Sequence, residues 1–110
     1  MDGTVLYLAC SFFQAPEAMR KRIYNKKTDV WSYGIVLYEI LTRKTPYHGY
    51  DLMQVAGSVM LGELSVIPEI EENQHNYPEV VVKILKECLR MDPEERPSFE
   101  EVVARFDSTQ

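Results

Sequence analysis

The sequence predicts a mainly α-helical domain, on three observations. Three stretches carry apolar residues at helical spacing and a fourth is apolar on nearly every face. Caps and stops bracket these stretches, and no run alternates as a half-buried strand does. The charge balance, 12 basic against 17 acidic residues for a net −5, with 45% hydrophobic types, fits a single soluble domain. A chain of 110 residues buries roughly two-thirds of its unfolded surface without cross-links.

Taken in order, Met1 to Ile23 shows no helical period and reads as extended loop, punctuated by Gly3 and Pro16. From about Thr28 to Thr42 come Val30, Trp31, Ile35, Val36, Leu37, Ile40 and Leu41, the composition of a helix buried at a domain centre. Thr28 or Asp29 can cap it. Leu52, Val55, Ala56, Val59 and Met60 form one helical stripe between a capping Asp51 and a stop at Gly62. Glu63 to Tyr77, with Pro68 and several glutamates, reads as a long irregular connection. Val81, Ile84, Leu85 and Cys88 make the next amphipathic helix, opened by Pro78 and ending near Met91. Ser98 and Glu101 have the spacing of a capping box for a last helix, with Phe99, Val102, Val103 and Phe106 as its buried stripe.

An acidic chain offers no field for phosphate backbones, so nucleic acid is not an expected partner. The run from Val30 to Leu41 falls short of the roughly 20 residues that a bilayer demands, so no membrane contact is expected. Asp2 stands where a secretory signal would carry positive charge, and Cys10 and Cys88 build no disulfide framework. A reducing, cytoplasmic setting is therefore expected. His48 and His75 have no metal ligand at suitable spacing, so no metal site is expected. Cys88 reads as a small buried hydrophobe and not a nucleophile. Arg20, Lys21, Arg22, Lys26 and Lys27 are the one basic patch, read as a solvated charged loop, as is the acidic turn of Asp92, Glu94 and Glu95.

Three segments in this order, Ala15-Pro16-Glu17, Asp29 through Glu39 (Asp-Val-Trp-Ser-Tyr-Gly-Ile-Val-Leu-Tyr-Glu), and Cys88 through Ser98, resemble the C-terminal lobe of a eukaryotic protein kinase domain. The wording around Cys88 and Arg96 is similar to the tyrosine-kinase-like group, whose members mostly phosphorylate serine and threonine. The resemblance implies a partial kinase domain over 1–110, with the end of the activation segment at 1–19 and a helical base at 28–106. It implies a buried ion pair between Glu17 and Arg96, for which the planar guanidinium suits a carboxylate. It makes Asp29 the helix-start aspartate that accepts hydrogen bonds from the catalytic-loop backbone, and Trp31 and Gly34 packing residues. Thr4, Tyr7 and Leu8 match the stretch that lines the substrate-docking wall, with a departure: six extra residues, Ala9 to Gln14, precede Ala15.

Phosphoryl transfer needs cradled phosphates, metal ions, a phosphate-binding Lys and an Asp for the substrate hydroxyl. The sequence holds no Gly-rich phosphate loop, no His-Arg-Asp and no Asp-Phe-Gly. No catalytic or cofactor-binding residue is therefore assigned, and Mg-ATP is expected only in a complete kinase domain. Two functions compete. One is a kinase lobe whose chemistry lies elsewhere, with protein substrates or the rest of the kinase as partners. The other is a non-enzymatic, kinase-derived module that binds a protein through an exposed apolar face. An unrelated small helical bundle is a third reading.

Overall fold

The computed structural model describes residues 14–21 and 25–108, and these are helical throughout with short turns between. The order is α1 (Pro16–Lys21), α2 (Lys26–Thr42), α3 (Leu52–Met60), α4 (Ile67–Glu72), a 3₁₀ turn (Gln74–Asn76), α5 (Glu79–Cys88), a second 3₁₀ turn (Pro93–Glu95) and α6 (Phe99–Asp107). Cys10, Arg22, the docking candidates Thr4, Tyr7 and Leu8, and residues 9–13 of the extra stretch lie outside the described residues.

The central helix α2 packs chiefly on α5, while α1 packs on α3 and α6 on α5. Val30, Trp31, Ile35, Leu37 and Tyr38 of α2 are buried against Val82, Ile84, Leu85 and Cys88 of α5 in one core. The approach is close because Gly34 has no side chain. A Cβ there would stand 2.9 Å from Cys88 Cβ and from a methyl of Leu89.

The start of α2 differs from both expected caps. Asn25 is the cap: its side chain accepts from the amides of Lys27 and Thr28, while the Asn25 amide donates to the Thr28 hydroxyl. Thr28 thereby completes the box from inside the first turn and Asp29 follows it, exposed. An Asn-x-x-Thr pair satisfies the same orphan amides as the usual Ser-x-x-Glu, through a shorter reciprocal arm. The helix ends at Arg43, which takes a left-handed conformation with φ 59°.

Two short helices occupy segments that read as loop. Residues 16–21 form α1 because Pro16 fits a first helical turn, where its missing N–H loses no partner. Residues 67–72 form α4 for the same reason. Pro68 lies in its opening turn, Ser65 Oγ accepts from the Ile67 amide at 3.1 Å, and Ile70 is fully buried. Six residues are too few to trace a period.

Asp51 caps α3 by accepting from the Gln54 amide at 2.9 Å. Its other end closes on Gly62 at φ 76°, with Gly62 N donating to Val59 O and Glu63 N to Ser58 O. That is the paired 6→1 and 5→2 closure that a left-handed glycine permits. Helix α5 begins after Pro78 and stops at Cys88, before Met91. Ser98 caps α6 by accepting from the Glu101 amide, and the Glu101 carboxylate meets the Ser98 hydroxyl at 3.3 Å. The expected stripe of α6 is only partly internal. Val102 is buried and Phe106 half-buried, but Phe99 and Val103 are 38% and 57% exposed. Arg105 instead ties α6 to α5 through an ion pair with Glu87.

Gly34→Ala should lose stability, since crowding a packed contact costs about 1–3 kcal/mol against a helix-propensity gain of roughly 1 kcal/mol. Gly57→Ala, on α3 with open space around its Cα, should instead stabilise by about 0.5–1 kcal/mol. Urea unfolding of the two variants should therefore move the midpoint in opposite directions.

Candidate functional site

Arg96 follows the 3₁₀ turn at 93–95 and points into the junction of α1, α2 and the C-terminal loop, 2% exposed. A guanidinium offers five N–H donors, and all of them are used. Nη1 and Nη2 grip the Glu17 carboxylate as a two-pronged fork at 2.7 and 2.8 Å. Nη1 also donates to Lys27 O, Nη2 to Met91 O and Nε to Arg90 O. Its flat face lies over the Trp31 ring, 5.0 Å from the centroid, a cation–π contact strengthened by exclusion of water.

Glu17 sits in the first turn of α1, where the helix dipole favours an anion. Burial opposes its ionisation, but the Arg96 hydrogen bonds and charge, its local backbone amide and the Thr28 hydroxyl together hold its carboxyl below the usual carboxylate range. Thr28 Oγ1 donates to Glu17 at 3.1 Å, so one side chain both completes the α2 cap and braces the ion pair. Lys27 closes a second clasp: its carbonyl accepts from Arg96, and its Nζ donates back to Arg96 O at 2.5 Å.

The structure thus pairs Glu17 with Arg96, sets Trp31, expected only as a packing residue, against the guanidinium, and places Gly34 one turn further along α2 in the α5 contact. Asp29 stands apart, exposed at the start of α2 and in no ion pair among the described residues. Thr28, Asn25 and Lys27 were missed as parts of the site. The Asn25-x-x-Thr28 spacing was the available signal for two of them. Nothing in the sequence marks Lys27, because its own carbonyl makes one of its contacts and its ammonium makes the other to the carbonyl of Arg96, and a backbone carbonyl is common to every residue. The basic patch is also less uniform than a solvated loop, since Arg20 donates to Met60 O at 3.0 Å and Lys27 is half-buried.

A second polar node lies at the far end of α2. Glu69 on α4 accepts from the Tyr38 hydroxyl at 2.5 Å and from Lys44 and His48 at 3.3 Å each. His48 is therefore engaged with a carboxylate and not merely solvated. Burial opposes ionisation of Glu69, but these donors hold its carboxyl low, while burial and the same bond push the Tyr38 phenol up. The Cys88 thiol is pushed up to about 11 by burial, which leaves it neutral and inert at physiological pH. A groove of about 540 Å³ beside α5 is open, and its Lys86 is already paired with Glu71. Among the described residues no group of three or more metal-ligating side chains converges. No helix among them is long and apolar enough to cross a membrane.

The anchor is a structural tie: its carboxylate is consumed by Arg96, and its arginine has no free donor. It fixes α1 to the helical base, joining the Ala-Pro-Glu segment to the Arg96 loop in the way of a kinase C-terminal lobe. The chain matches the family described as protein tyrosine and serine/threonine kinase over residues 7–106 and belongs to it. It is 37% identical over 94 residues to a mitogen-activated protein kinase kinase kinase of Drosophila melanogaster, covering 84% of this chain and 8% of that protein. It is 35% identical over 96 residues to mitogen-activated protein kinase kinase kinase 10 of Homo sapiens, covering 86% and 9%. A probable serine/threonine-protein kinase of Dictyostelium discoideum is 40% identical over 94 residues, covering 86% and 12%. The chain thus spans 8–12% of the length of these relatives.

Glu17→Gln should destabilise by about 3–5 kcal/mol, because it leaves the Arg96 charge buried without its counter-ion. The pH dependence has a definite sign. A carboxyl with a folded pKa below its unfolded value stabilises fully above about pH 4.3, and that contribution is lost as pH falls through the folded value. Wild type should therefore lose stability into acid more steeply than Glu17→Gln, as read from urea midpoints between neutral pH and the acid limb.

Proposed function

We propose that this chain is the C-terminal lobe portion of a protein kinase whose complete domain phosphorylates proteins from Mg-ATP on serine, threonine or tyrosine. The single observation that carries this reading is the Glu17–Arg96 fork, which joins two distant family motifs around Trp31. The similarity to mitogen-activated protein kinase kinase kinases supports a role in signalling, and the similarity to a probable serine/threonine-protein kinase supports a serine/threonine preference. By itself the 110-residue chain transfers no phosphate and holds no Mg-ATP, because it supplies neither a phosphate-cradling loop nor a base for the substrate hydroxyl. Its partners are protein substrates and the remainder of the kinase domain, not nucleic acid or membrane, and its setting is cytoplasmic.

Asp29 supports the same reading. It sits one residue beyond a complete capping box, exposed and without an ion pair among the described residues, where it can receive backbone amides of a catalytic loop. Thr4, Tyr7 and Leu8 are proposed to line the docking wall of that complete domain.

The test is the size of the native protein. Peptides spanning Ile84 to Arg105 should be detected by mass spectrometry of a size-resolved lysate at a mass far above 12.8 kDa. Detection near that mass would count against the kinase-lobe reading and in favour of a stand-alone binding module.

A further inference from the structure

Five of the 12 basic residues fall at positions 20–27, and positions 18–28 hold no acidic residue. In a chain of net charge −5 the surplus carboxylates could be expected to neutralise such a cluster. Among the described residues Lys44, Lys86, Arg90, Arg96 and Arg105 each meet a carboxylate, whereas Arg20, Lys21, Lys26 and Lys27 meet none. Arg20 and Lys27 donate to the carbonyls of Met60 and Arg96. Those bonds use a donor and leave the charge uncompensated.

Two of these cations line one cleft of about 310 Å³ between α1 and the loop after α5. Arg20 has spent one of its five N–H donors on Met60 O, and the exposed Lys21 has spent none among the described residues. Asn25 also lines the cleft. Its Oδ1 is taken by the first amides of α2, so its amide hydrogens are what remains for a ligand. Met91, 42% exposed, and Pro93 supply the apolar part. Glu17 borders the cleft with its charge already met by Arg96, and of the acidic turn only Glu94 reaches it. The cleft is therefore rich in donors and positive charge, beside a strip of apolar surface.

The position of Glu94 narrows the occupant. A carboxylate already lies at this cleft, yet neither Arg20 nor Lys21 pairs with it. A phosphate monoester brings nearly twice the charge and three acceptor oxygens, enough to engage a guanidinium fork and an ammonium together. The apolar strip suits the residues that flank a phosphorylated side chain, and has nothing to offer a free ion. We propose that this cleft binds a phosphoserine or phosphothreonine on an extended segment of a partner protein, with Arg20 and Lys21 on the phosphate. The site does not depend on the kinase reading. That reading gives Asp29 to a catalytic loop, and Asp29 lines a separate cleft with Lys26 and Lys27.

The test is fluorescence anisotropy of a labelled alanine pentapeptide with phosphoserine at its centre, titrated with the 110-residue chain. Binding should saturate, and the same peptide with plain serine should not bind. Lys21→Gln should weaken binding at least about fivefold, or roughly 1 kcal/mol, with an unchanged circular dichroism melt because Lys21 is exposed. Glu94→Gln should strengthen it by removing a repelling charge. Lys83→Gln, which deletes an equally unpaired cation on α5, should leave it unchanged. Equal binding of the serine peptide, an unaltered affinity in Lys21→Gln, or an equal loss in Lys83→Gln would each overturn the proposal. So would inorganic phosphate that competes as well as the unlabelled phosphopeptide, or a preference for phosphatidylserine vesicles over the peptide.

Discussion

A guanidinium without access to water must find five acceptors and a counter-charge within reach, and the demands of Arg96 organise the lower half of this molecule. One carboxylate supplies the charge and two acceptors, and the carbonyls of Lys27, Arg90 and Met91 supply the rest. Two of those carbonyls, Arg90 O and Met91 O, are available because they lie just past α5, where the helical ladder has stopped. Lys27 O lies in the first turn of α2 and receives Arg96 on the lone pair that the ladder leaves over. The anchor is thus assembled from helix ends, and the helix boundaries matter to it as much as the charged pair.

The same logic separates the two polar nodes along α2. At its first turn, Thr28 couples cap and ion pair through one hydroxyl, and the carboxylate there is nearly enclosed. At its last turns, Tyr38 reaches Glu69, whose other partners are half-exposed and therefore weakly held. The first node fixes α1 to the base, whereas the second positions the loop after α2 against α4. Between them lies Gly34, where α2 comes closest to α5, so the helix is constrained at three separated places along its length.

Much of this was legible in the residues. The long central helix, the caps at Asp51 and Ser98 and the stop at Gly62 rest on local chemistry that sequence spells out. The Glu17–Arg96 pair was legible only through the resemblance, since no periodicity relates residues so far apart. What was not legible has physical causes. Helices α1 and α4 have six residues each, too short for a period, and both contain a proline that reads equally as breaker or opener. Asn25 was passed over because Thr28 and Asp29 are equally good caps in isolation. Phe99 and Val103 were placed inside because α6 looks amphipathic, but its packing is limited to Val102, Phe106 and the Glu87–Arg105 pair, leaving part of its apolar side outward.

The fork between Glu17 and Arg96 closes a loop with a sequence separation of 79 residues. Closing so long a segment carries an entropy cost that grows with the logarithm of its length, and contacts of that range form late in folding. A ribosome delivers residues in order, so α1 emerges ahead of its partner and must wait for the four helices that precede Arg96 before that partner exists. Until then Glu17 is an ordinary solvated carboxylate and the segment around it has no fixed seat. A helix made before the rest of this helical base is therefore among the last parts of it to be locked in place.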